Sequence, residues 1–396
     1  MVKILFVYMG GRRSRLLEAK AGHEAPMEFL FGFPYLQARG YEVDVLELTD
    51  LSPDRNSAAH VNLLRENVRL QQATGFTSTS QHFVDSLDIL NRYDGIIAGG
   101  DGLGLGISHF IRKGMVKPPM FMLTTGMLLH TQLQVRPSPL MARVRDIARS
   151  LYYRFVFGRY RKRRRVYRDL LEASSGTLYF ERSEYEMAQR MFPEYANRMR
   201  FSVSCIDTDF WRPNLALNRG SSRPDYILFI GNDRGRDFDL VQDIARHLPH
   251  LRFVFVTNRI RPEDVPPNVT IKQGDWKANR ISDVEIRRSI QDSSVVVVPF
   301  KSGDLHSLTS VTLQAMACGK PVLVSKTSGL WEPEFIDRQH IWFIHSGNLS
   351  EWCEDIQTLM RDSLNRERIG MHARRLVEKQ NNLTVLGSNV EAIIKQ

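Results

Sequence analysis

A strand-like run in the second half of the chain is followed by residues that can bind an anion. The run Tyr226–Ile230 ends at Gly231, and Arg234 and Arg236 come within the next five residues. Glycine lets a ligand approach the backbone closely. Arginine can bind a phosphate through two parallel hydrogen bonds, and its side chain stays charged. A solvated basic turn is the alternative, but the position directly after a strand favours a phosphate-binding loop.

A polar loop later in the chain opens a helix and predicts a second anion-binding element. Ser307, Thr309 and Ser310 can cap a helix over Val311–Ala317, which stops at Gly319. The first N–H groups of a helix have no partner within it, so they and the helix dipole attract negative groups. A capped helix also occurs in any α/β domain, so this loop alone identifies no ligand.

The first half of the chain has glycines and candidate proton carriers after its strands. Gly10 and Gly11 follow the run Val2–Tyr8, and Asp101 and His130 follow two later strands. Either Asp101 or His130 could act on a substrate hydroxyl, and histidine is the more usual proton carrier near neutral pH. Both are therefore candidate catalytic residues, although a lone histidine is often a structural side chain.

These residues need strands and helices that bring them to one edge of a sheet. Strand and helix patterns alternate through both halves, which predicts two α/β, doubly wound domains with parallel sheets. In the first half, Glu28–Arg39 predicts a helix and Glu42–Leu48 predicts a strand. Such domains place ligands beyond the carboxyl ends of their strands, so we expect the two domains to face a central cleft.

The boundary between the two domains is predicted at a polar, turn-rich stretch, residues 214–224. Residues 1–213 then form an N-terminal domain and residues 225–378 a C-terminal domain, with 214–224 as the linker. The last residues, 379–396, predict a helix that packs back on the N-terminal domain.

The composition is typical of a soluble globular protein and excludes several classes. Of the 396 residues, 42% are hydrophobic and 25% are charged, which argues against disorder. The three cysteines lie far apart and form neither a disulfide framework nor a metal-binding spacing. The first residues predict a strand and no signal peptide, and no apolar run is long enough to cross a bilayer, so we expect a cytoplasmic protein.

The stretch Ser307–Val324 resembles the signature of GT-B glycosyltransferases of family 4 (group 1). Ala315–Val322 matches the Ala-Met-Ala-x-Gly-Lys-Pro-Val part of that signature, and His306 and Gln314 stand where the family has two glutamates. In the family the first glutamate lies near the donor sugar and the second contacts the nucleotide ribose. The resemblance therefore implies a catalytic role for His306 and a ribose contact through the amide of Gln314.

The same resemblance implies the GT-B arrangement of two Rossmann-like domains and gives roles to the loops. Arg234 and Arg236 correspond to family residues that contact the donor diphosphate, and Trp276 lies in the turn that borders the nucleobase in similar enzymes. Trp276 either stacks on the base or covers the edge of the domain. The donor-binding residues that we expect are Gly10, Gly11, Gly231, Arg234, Arg236, Trp276, Ser307, Leu308, Thr309, Ser310 and Gln314. The catalytic residues that we expect are Asp101, His130, Arg236 and His306.

A strongly basic segment contributes to the net charge of +10. Residues 136–168 hold twelve Lys or Arg against one acid, with aromatic residues between them. A basic amphipathic stretch with aromatics suits an anionic membrane surface, whereas a nucleic-acid surface and a solvated helix face are the alternatives. Many transferases that this chain resembles act on lipid-linked acceptors, so we expect peripheral association with a membrane and no nucleic-acid partner.

The resemblance implies a retaining, hexosyltransferase-type glycosyltransferase. It would move a sugar from a UDP- or GDP-linked donor to an acceptor hydroxyl, such as that of a lipid-linked or cell-surface glycan precursor. Catalysis would stabilise the diphosphate leaving group through Arg234, Arg236 and the helix start at Ser307–Ser310. We expect no metal and no other cofactor, because Asp207 and Asp209, which have Asp-x-Asp spacing, lie in a segment that resembles the end of the family's N-terminal domain.

Two other functions remain open at this point. A sugar-nucleotide epimerase of the same fold would act without an acceptor. A non-catalytic protein that binds a nucleotide sugar would keep the fold and lose the chemistry. The departures from glutamate at His306 and Gln314 keep this last alternative open.

Overall fold

The computed structural model describes residues 1–129, 146–214, 225–233, 235–274, 281–301, 310–327, 329, 332–345 and 347–396, with the backbone alone for 146–157. Within these residues the chain forms two six-stranded sheets, one in each half. All neighbouring strands in both sheets run parallel. The predicted pair of α/β domains with parallel sheets is therefore confirmed.

The first sheet has the strand order β2-β1-β3-β4-β5-β6. Its register places Ile4 beside Val43 on one side and beside Gly95 on the other. Central strands of a parallel sheet are covered on both faces, which is why β3 and β4 are continuous apolar runs and fully buried. The strands are β1 (Lys3–Tyr8), β2 (Glu42–Glu47), β3 (Gly95–Ala98), β4 (Met120–Leu123), β5 (Ser174–Tyr179) and β6 (Met199–Phe201).

Helices separate these strands, as parallel pairing requires. The clearest boundaries are those of α3, where the Ser57 hydroxyl accepts the N–H of His60 at the start and Gly75 takes a left-handed conformation at the end. The helices of this half are α1 (Arg13–Lys20), α2 (Phe33–Ala38), α3 (Ala58–Thr74), α4 (Ser80–Phe83), α5 (Leu87–Leu90), α6 (Asp101–Ile111), α7 (Asp146–Ala173) and α8 (Arg182–Met191). Short 3-10 helices cover Glu28–Leu30, Leu48–Asp50 and Pro193–Arg198.

The single helix predicted over Glu28–Arg39 is wrong, because the structure interrupts it. Glu28–Leu30 forms one 3-10 turn, and α2 begins only at Phe33. Phe31 and Gly32 between them have φ values of 46° and 86°, which lie far outside the α-helical region. The apolar pattern of the segment thus reflects burial of two short pieces and not one continuous helix.

The second sheet has the strand order β12-β11-β10-β7-β8-β9, which is the classic order of a dinucleotide-binding fold. The four consecutive valines predicted as a strand form β10, and all four are buried in the middle of the sheet. The strands are β7 (Ile227–Ile230), β8 (Phe253–Val256), β9 (Val269–Lys272), β10 (Val295–Val298), β11 (Val322–Lys326) and β12 (Trp342–His345).

The helices of the second half begin at side-chain caps that the sequence supplies. Asp237, Ser282, Asn348 and Asp362 each accept a backbone N–H of the first turn that follows them. The helices are α9 (Phe238–His247), α10 (Asp283–Asp292), α11 (Ser310–Ala317), α12 (Leu349–Arg361), α13 (Ser363–Gln380) and α14 (Leu383–Ile394), with a 3-10 helix at Pro262–Asp264. Among all the helices of the described ranges, none is both long and apolar enough to cross a membrane.

The contacts within the chain define two compact units. The first contains Met1–Arg13, Phe33–Ser202 and Gly387–Gln396, and the second contains Ser14–Gly32 and Val203–Leu386. The second unit therefore includes a short piece from the beginning of the chain. The boundaries predicted at residues 213 and 225, and the separate C-terminal helix, stay predictions, since compact contacts do not test independent folding.

The segment Ser14–Gly32 is held in the second unit by buried polar contacts. The guanidinium of Arg15 donates to both carboxylate oxygens of Asp283, at 2.8 and 3.1 Å. The indole N–H of Trp211, a fully buried side chain, donates to Glu28 at 2.8 Å. These contacts lie far apart in sequence, so a reading of local patterns cannot find them.

Candidate functional site

Each sheet has one point at which the strand order reverses. In the first sheet it lies between β1 and β3, and in the second between β7 and β10. Doubly wound sheets bind ligands beyond the carboxyl ends of the strands at such a point. The loops after these four strands contain the predicted residues Gly10, Gly11, Asp101, Gly231 and Arg236.

The Arg236 side chain lies across the loop that follows β7 and is only 2% exposed. Its guanidinium carbon lies 4.7 Å from the centre of the Phe300 ring, and its Nε donates to the Asp233 carboxylate at 2.8 Å. A Cβ at Gly231 would approach the Arg236 side chain to 2.9 Å, so the close approach requires glycine. The structure thus places Arg236 at the predicted strand edge, with its charge balanced in part by Asp233.

Asn232, which the sequence analysis did not single out, ties three loops of the second unit together. Its side-chain oxygen accepts the hydroxyl of Thr257 at 3.1 Å and the N–H of Asn258 at 2.7 Å. Its side-chain nitrogen donates to the carbonyl of Gly274 at 3.2 Å, and its own carbonyl accepts the Arg259 Nε at 3.0 Å. The loops after β7, β8 and β9 are therefore joined by the neutral amide of Asn232, and the Arg259 guanidinium adds a positive charge there.

The loops after β7 and β10 are also joined through their backbones. The N–H of Asp237 donates to the carbonyl of Pro299 at 3.0 Å, and the N–H of Lys301 donates to that of Gly235 at 2.9 Å. The Ser325 hydroxyl, at the carboxyl end of β11, accepts the N–H of Phe300 at 2.9 Å. These contacts fix the position of the Phe300 ring on which Arg236 lies.

The helix α11 carries the two predicted donor-binding residues of the signature stretch that the structure describes. Ser310 is its exposed first residue, and Gln314 lies one turn later and is 5% exposed. Residues four apart on a helix share a face, so the Gln314 amide lies below the exposed start of the helix. This arrangement is compatible with the predicted ribose contact, which stays a prediction.

In the first unit the glycine loop after β1 is held by a carboxylate. Gly10 and Gly11 have φ values of 147° and 75°, so both take conformations that favour glycine. The next two backbone N–H groups, of Arg12 and Arg13, donate to Oε1 of Glu47 at 2.6 and 2.8 Å. Glu47 ends β2 and is buried, so the start of α1 already has an anionic partner from the protein itself.

Asp101 is the first residue of α6, directly after the β3 loop, and is buried. Its Oδ2 accepts the N–H of Thr125 at 2.9 Å, the hydroxyl of Thr125 at 2.6 Å and the N–H of Met127 at 3.3 Å. The predicted acid–base residue therefore lies at the expected edge of the sheet, but its carboxylate holds the loop after β4. Its catalytic role stays a prediction.

Glu184, the third residue of α8, is a second buried carboxyl group at this loop. It is fully buried, and its Oε1 accepts the N–H of Leu128 at 2.8 Å. Burial, and then the nearby charge of Asp101, raise the pKa of Glu184 well above the usual range of a glutamate. The sequence analysis missed Glu184, although a polar residue soon after a predicted strand was the available signal.

The segment with Asp-x-Asp spacing has a structural role in the second unit. The Asp207 carboxylate accepts the backbone N–H groups of Asp209 and Phe210 through one oxygen and that of Met27 through the other. Trp211 is buried beside it and bonds Glu28, whose pKa burial raises to about 8. The Asp207 carboxylate is thus occupied by backbone groups of the protein itself.

The described part of the basic segment, residues 146–168, lies in α7, and its side chains are described from residue 158. Some of its cations contact the protein: Arg163 donates to the Thr74 carbonyl at the end of α3, and Arg168 pairs with Glu194. Arg161, Lys162 and Arg165 are exposed. The segment is thus partly a packing surface and partly a charged surface.

Seven predicted site residues lie outside the described residues. They are His130, Arg234, Trp276, His306, Ser307, Leu308 and Thr309. The structure brings Gly231 and Arg236 together at one strand edge, and Gly10, Gly11 and Asp101 at the reversal point of the other sheet.

The C-terminal half of the chain is similar to known glycosyltransferases. Residues 225–362 match the family model described as Glycosyl transferases group 1. Over 194 residues the chain is 23% identical to sulfoquinovosyl transferase SQD2 of Arabidopsis thaliana, in a match that covers 46% of this chain. The match covers 37% of that curated relative, so the chain spans well under half of its length.

Solved structures of similar fold cover the whole chain. Sucrose-phosphate synthase from Thermosynechococcus elongatus aligns with a TM-score of 0.67 at 15% identity, over 100% of this chain and 99% of that one. HepE of Anabaena in complex with UDP-glucose aligns with a TM-score of 0.59 at 12% identity, over the full length of both chains. The predicted resemblance to GT-B, group 1 glycosyltransferases is confirmed, and the predicted glycosyltransferase class is supported by the same match.

Proposed function

We propose that this chain, which carries a group 1 glycosyl transferase domain at residues 225–362 on a GT-B fold, is a glycosyltransferase. It transfers a sugar from a nucleoside diphosphate sugar to an acceptor hydroxyl, with retention of configuration. The observation that carries the proposal is the family match over residues 225–362. The same residues form the second sheet, and Gly231, Asn232 and Arg236 follow β7, where its strand order reverses.

The donor binds at the carboxyl edge of the second sheet. A diphosphate is a concentrated negative charge, and this edge presents a guanidinium and neutral amides, together with the start of α11. The structural neighbour HepE was solved with UDP and with UDP-glucose, which supports a UDP-linked donor here, with GDP as the alternative base. Arg236 stabilises the leaving diphosphate, and Gln314 contacts the ribose.

The acceptor hydroxyl binds at the carboxyl edge of the first sheet, beside Asp101. This edge is acidic, because Glu47, Asp101 and Glu184 are all buried there. The carboxyl groups of this edge therefore disfavour binding of an anionic ligand. They suit a polyhydroxylated group, whose hydroxyls can donate hydrogen bonds to carboxylates. The acceptor is a lipid-linked or cell-surface glycan precursor. The enzyme is cytoplasmic and reaches this acceptor by binding the membrane surface with the exposed cations of α7.

Transfer needs no bound metal. Asp207 and Asp209 have the Asp-x-Asp spacing, but the Asp207 carboxylate already accepts three backbone N–H groups. Charge on the leaving group is stabilised instead by Arg236 and by helix N–H groups. We expect turnover to be unchanged by EDTA, and loss of turnover that added Mg²⁺ or Mn²⁺ restores would contradict this.

The test is a donor screen with the full chain. UDP-glucose, GDP-mannose and ADP-glucose are incubated singly, and release of the nucleoside diphosphate is measured. We expect release from at least one donor, and a loss of about tenfold or more in Arg236→Met, which removes the charge and keeps most of the volume. Arg246→Met, a half-exposed arginine of α9 paired with Asp243, is the matched control and should keep full activity.

The outcome of the screen separates the alternatives. Tight binding of a nucleotide sugar with no turnover of any donor would contradict the proposal and support a non-catalytic binding protein. Conversion of the donor sugar to its epimer, without release of the nucleotide, would support an epimerase.

The membrane surface is tested by sedimentation with vesicles. We expect the chain to sediment with vesicles that contain anionic lipid, and the triple variant Arg161→Glu, Lys162→Glu, Arg165→Glu to remain in solution. The control is the same charge reversal at exposed cations of the first unit away from α7, Arg39, Arg92 and Lys117. Equal sedimentation of the two triple variants would contradict a role for α7.

A further inference from the structure

Residues 125–128, which follow β4, are held by two carboxyl groups from different helices. Asp101 comes from the start of α6 and Glu184 from the first turn of α8. Oδ2 of Asp101 accepts the N–H groups of Thr125 and Met127, and Oε1 of Glu184 accepts the N–H of Leu128. Three of four consecutive backbone N–H groups are therefore bound to carboxylate oxygens.

We propose that Asp101 and Glu184 form a two-carboxyl clamp on residues 125–128, and that Glu184 is a positioning residue for the acceptor side of the proposed transfer reaction. The chain continues from this loop through Leu129 into His130, which the sequence predicts as a proton carrier. The inference rests on the proposed function for its catalytic consequence, but the clamp itself is a property of the fold.

The burial of both groups makes the clamp sensitive to proton binding. Glu184 is fully buried and Asp101 is 6% exposed, so two negative charges here would be poorly solvated. Among the described residues, the titratable groups that face Glu184 are Asp101 on α6, Glu181 before α8, Tyr167 on α7 and Tyr179 on β5. The negative charges of Asp101 and Glu181 raise the cost of ionising Glu184. The Leu128 N–H and the Thr124 hydroxyl lower that cost, and burial is the largest effect.

A glutamine would make the same hydrogen bond to Leu128 without the cost of ionisation. Its carbonyl oxygen accepts an N–H as a carboxyl oxygen does, and its amide carries no charge at any pH. The glutamate therefore adds to the loop a proton that can be held or released. Burial and the charge of Asp101 raise the pKa of Glu184, so we expect the protonated form to persist into the neutral range.

Loss of that proton should loosen the clamp, because it leaves a buried negative charge that opening of the loop would expose to water, and because this charge is repelled by that of Asp101. We expect protection of the amides of residues 125–128 against hydrogen exchange, corrected for intrinsic rates, to fall as the pH is raised from about 6 to 9. In Glu184→Gln the same protection should be independent of pH. In Glu184→Ala the protection of Leu128 should fall at least tenfold at every pH.

Glu186→Gln is the matched control, because Glu186 lies on the same helix and pairs with Arg190 at the surface. It should keep the exchange behaviour of the unchanged chain. If Glu184→Gln retains the pH dependence, or if Glu184→Ala leaves Leu128 as protected as before, the clamp is overturned. Should Glu184→Ala fail to fold, the glutamine variant and the pH series of the unchanged chain still decide the question.

Donor turnover provides the catalytic readout. We expect kcat to fall on the alkaline side of its pH profile with KM for the donor unchanged, and this alkaline loss to be absent in Glu184→Gln. An alkaline limb identical in both chains would contradict the positioning role. If no donor is turned over by the unchanged chain, the proposed function fails, and the exchange experiment still tests the clamp.

Discussion

The carboxyl edges of the two sheets are held together by different chemistry. In the first unit, buried carboxylates bind backbone N–H groups: Glu47 holds the loop after β1, and Asp101 and Glu184 hold the loop after β4. In the second unit, the amide of Asn232 links the loops after β7, β8 and β9. One edge is therefore built on carboxyl groups, whose charge depends on protonation, and the other on a neutral amide together with the guanidinium groups of Arg236 and Arg259.

This difference favours binding of the donor at the second sheet and of the acceptor at the first. A nucleoside diphosphate brings negative charge that the carboxylates of the first edge would repel, whereas the Arg236 edge attracts it. A hydroxyl group is neutral and donates a hydrogen bond, so it is compatible with the acidic edge. Under the proposed function, two parallel sheets with different strand orders bind two ligand classes because the side chains after their strands differ.

The largest effect should come from breaking the acidic edge. Asp101→Ala removes an acceptor that holds two N–H groups and the Thr125 hydroxyl, and leaves the buried N–H of Met127 without it. We expect the free energy of unfolding to fall by roughly 3 kcal/mol, because the variant loses hydrogen bonds to a charged group and also leaves a buried donor unsatisfied. Urea denaturation followed by circular dichroism measures this.

The control for this variant is Asp88→Ala in the same unit. Asp88 is exposed and pairs with Arg92 one helical turn away. Its loss should change the free energy of unfolding by less than about 0.5 kcal/mol. An equal loss of stability in both variants would mean that the Asp101 contacts do not support the edge.

The second effect sharpens the comparison by giving the neutral edge one acidic charge. Asn232→Asp keeps the size of the side chain and adds a negative charge where the diphosphate is proposed to bind. At about 8 Å and an effective dielectric constant of about 20, each pair of like charges costs ~2 kcal/mol, or roughly thirtyfold in affinity. Calorimetric titration with UDP and with GDP measures the change.

Asn365→Asp is the charge-matched control. Asn365 lies in the first turn of α13, and the beginning of that helix lines a cavity at the amino edge of the sheet with Lys320 and Ser293. An extra acid in a first helical turn is well tolerated, so nucleotide affinity should stay within about twofold. A comparable loss of affinity in both variants would show that net charge, and not the edge, determines binding.

The third effect, the smallest per pH unit, separates burial from location at a strand edge. Glu28 is a buried carboxyl of the second unit, in the segment Ser14–Gly32, and its pKa is raised to about 8 by burial. The folded protein then binds one more proton than the unfolded chain between about pH 5 and pH 8, so stability falls as the pH rises through this range. The slope from this one group is about 1.4 kcal/mol per pH unit.

Glu28→Gln should remove that contribution and leave the indole N–H of Trp211 with a carbonyl acceptor. We expect the slope of the free energy of unfolding against pH to be smaller in this variant by the contribution of one proton. Urea midpoints from pH 5 to 8 measure this slope. Glu194→Gln, an exposed acid paired with Arg168, should keep the original slope. An unchanged slope in Glu28→Gln would mean that Glu28 is ionised in the folded chain.

The sequence predicted the architecture well for a physical reason. Each buried strand is a local apolar run, as in the four valines of β10, and several helix starts carry their own side-chain cap, as at Asp237 and Ser282. The alternation of strands and helices predicts parallel pairing, but it does not determine the order of the strands, which differs between the two sheets. The interrupted helix at Phe31–Gly32 escaped detection, because an apolar pattern does not reveal positive φ values.

The candidate site was less predictable because its contacts join distant parts of the chain. Position after a strand was enough to find Gly231, Arg236 and Asp101. It did not show that Arg236 lies on Phe300, or that Glu184 meets the loop of Leu128, 56 residues away in sequence. Such pairings depend on the packing of whole helices, which no local pattern records.

The most direct test of the account is hydrogen exchange of the full chain with and without UDP, GDP or ADP. We predict that at least one nucleotide slows exchange at residues 231–237 and 257–259, that residues 125–128 keep their rates, and that the slowing is lost in Asn232→Asp. Nucleotide binding that slows exchange at residues 125–128 and leaves 231–237 unchanged would contradict the assignment of the donor to the second sheet.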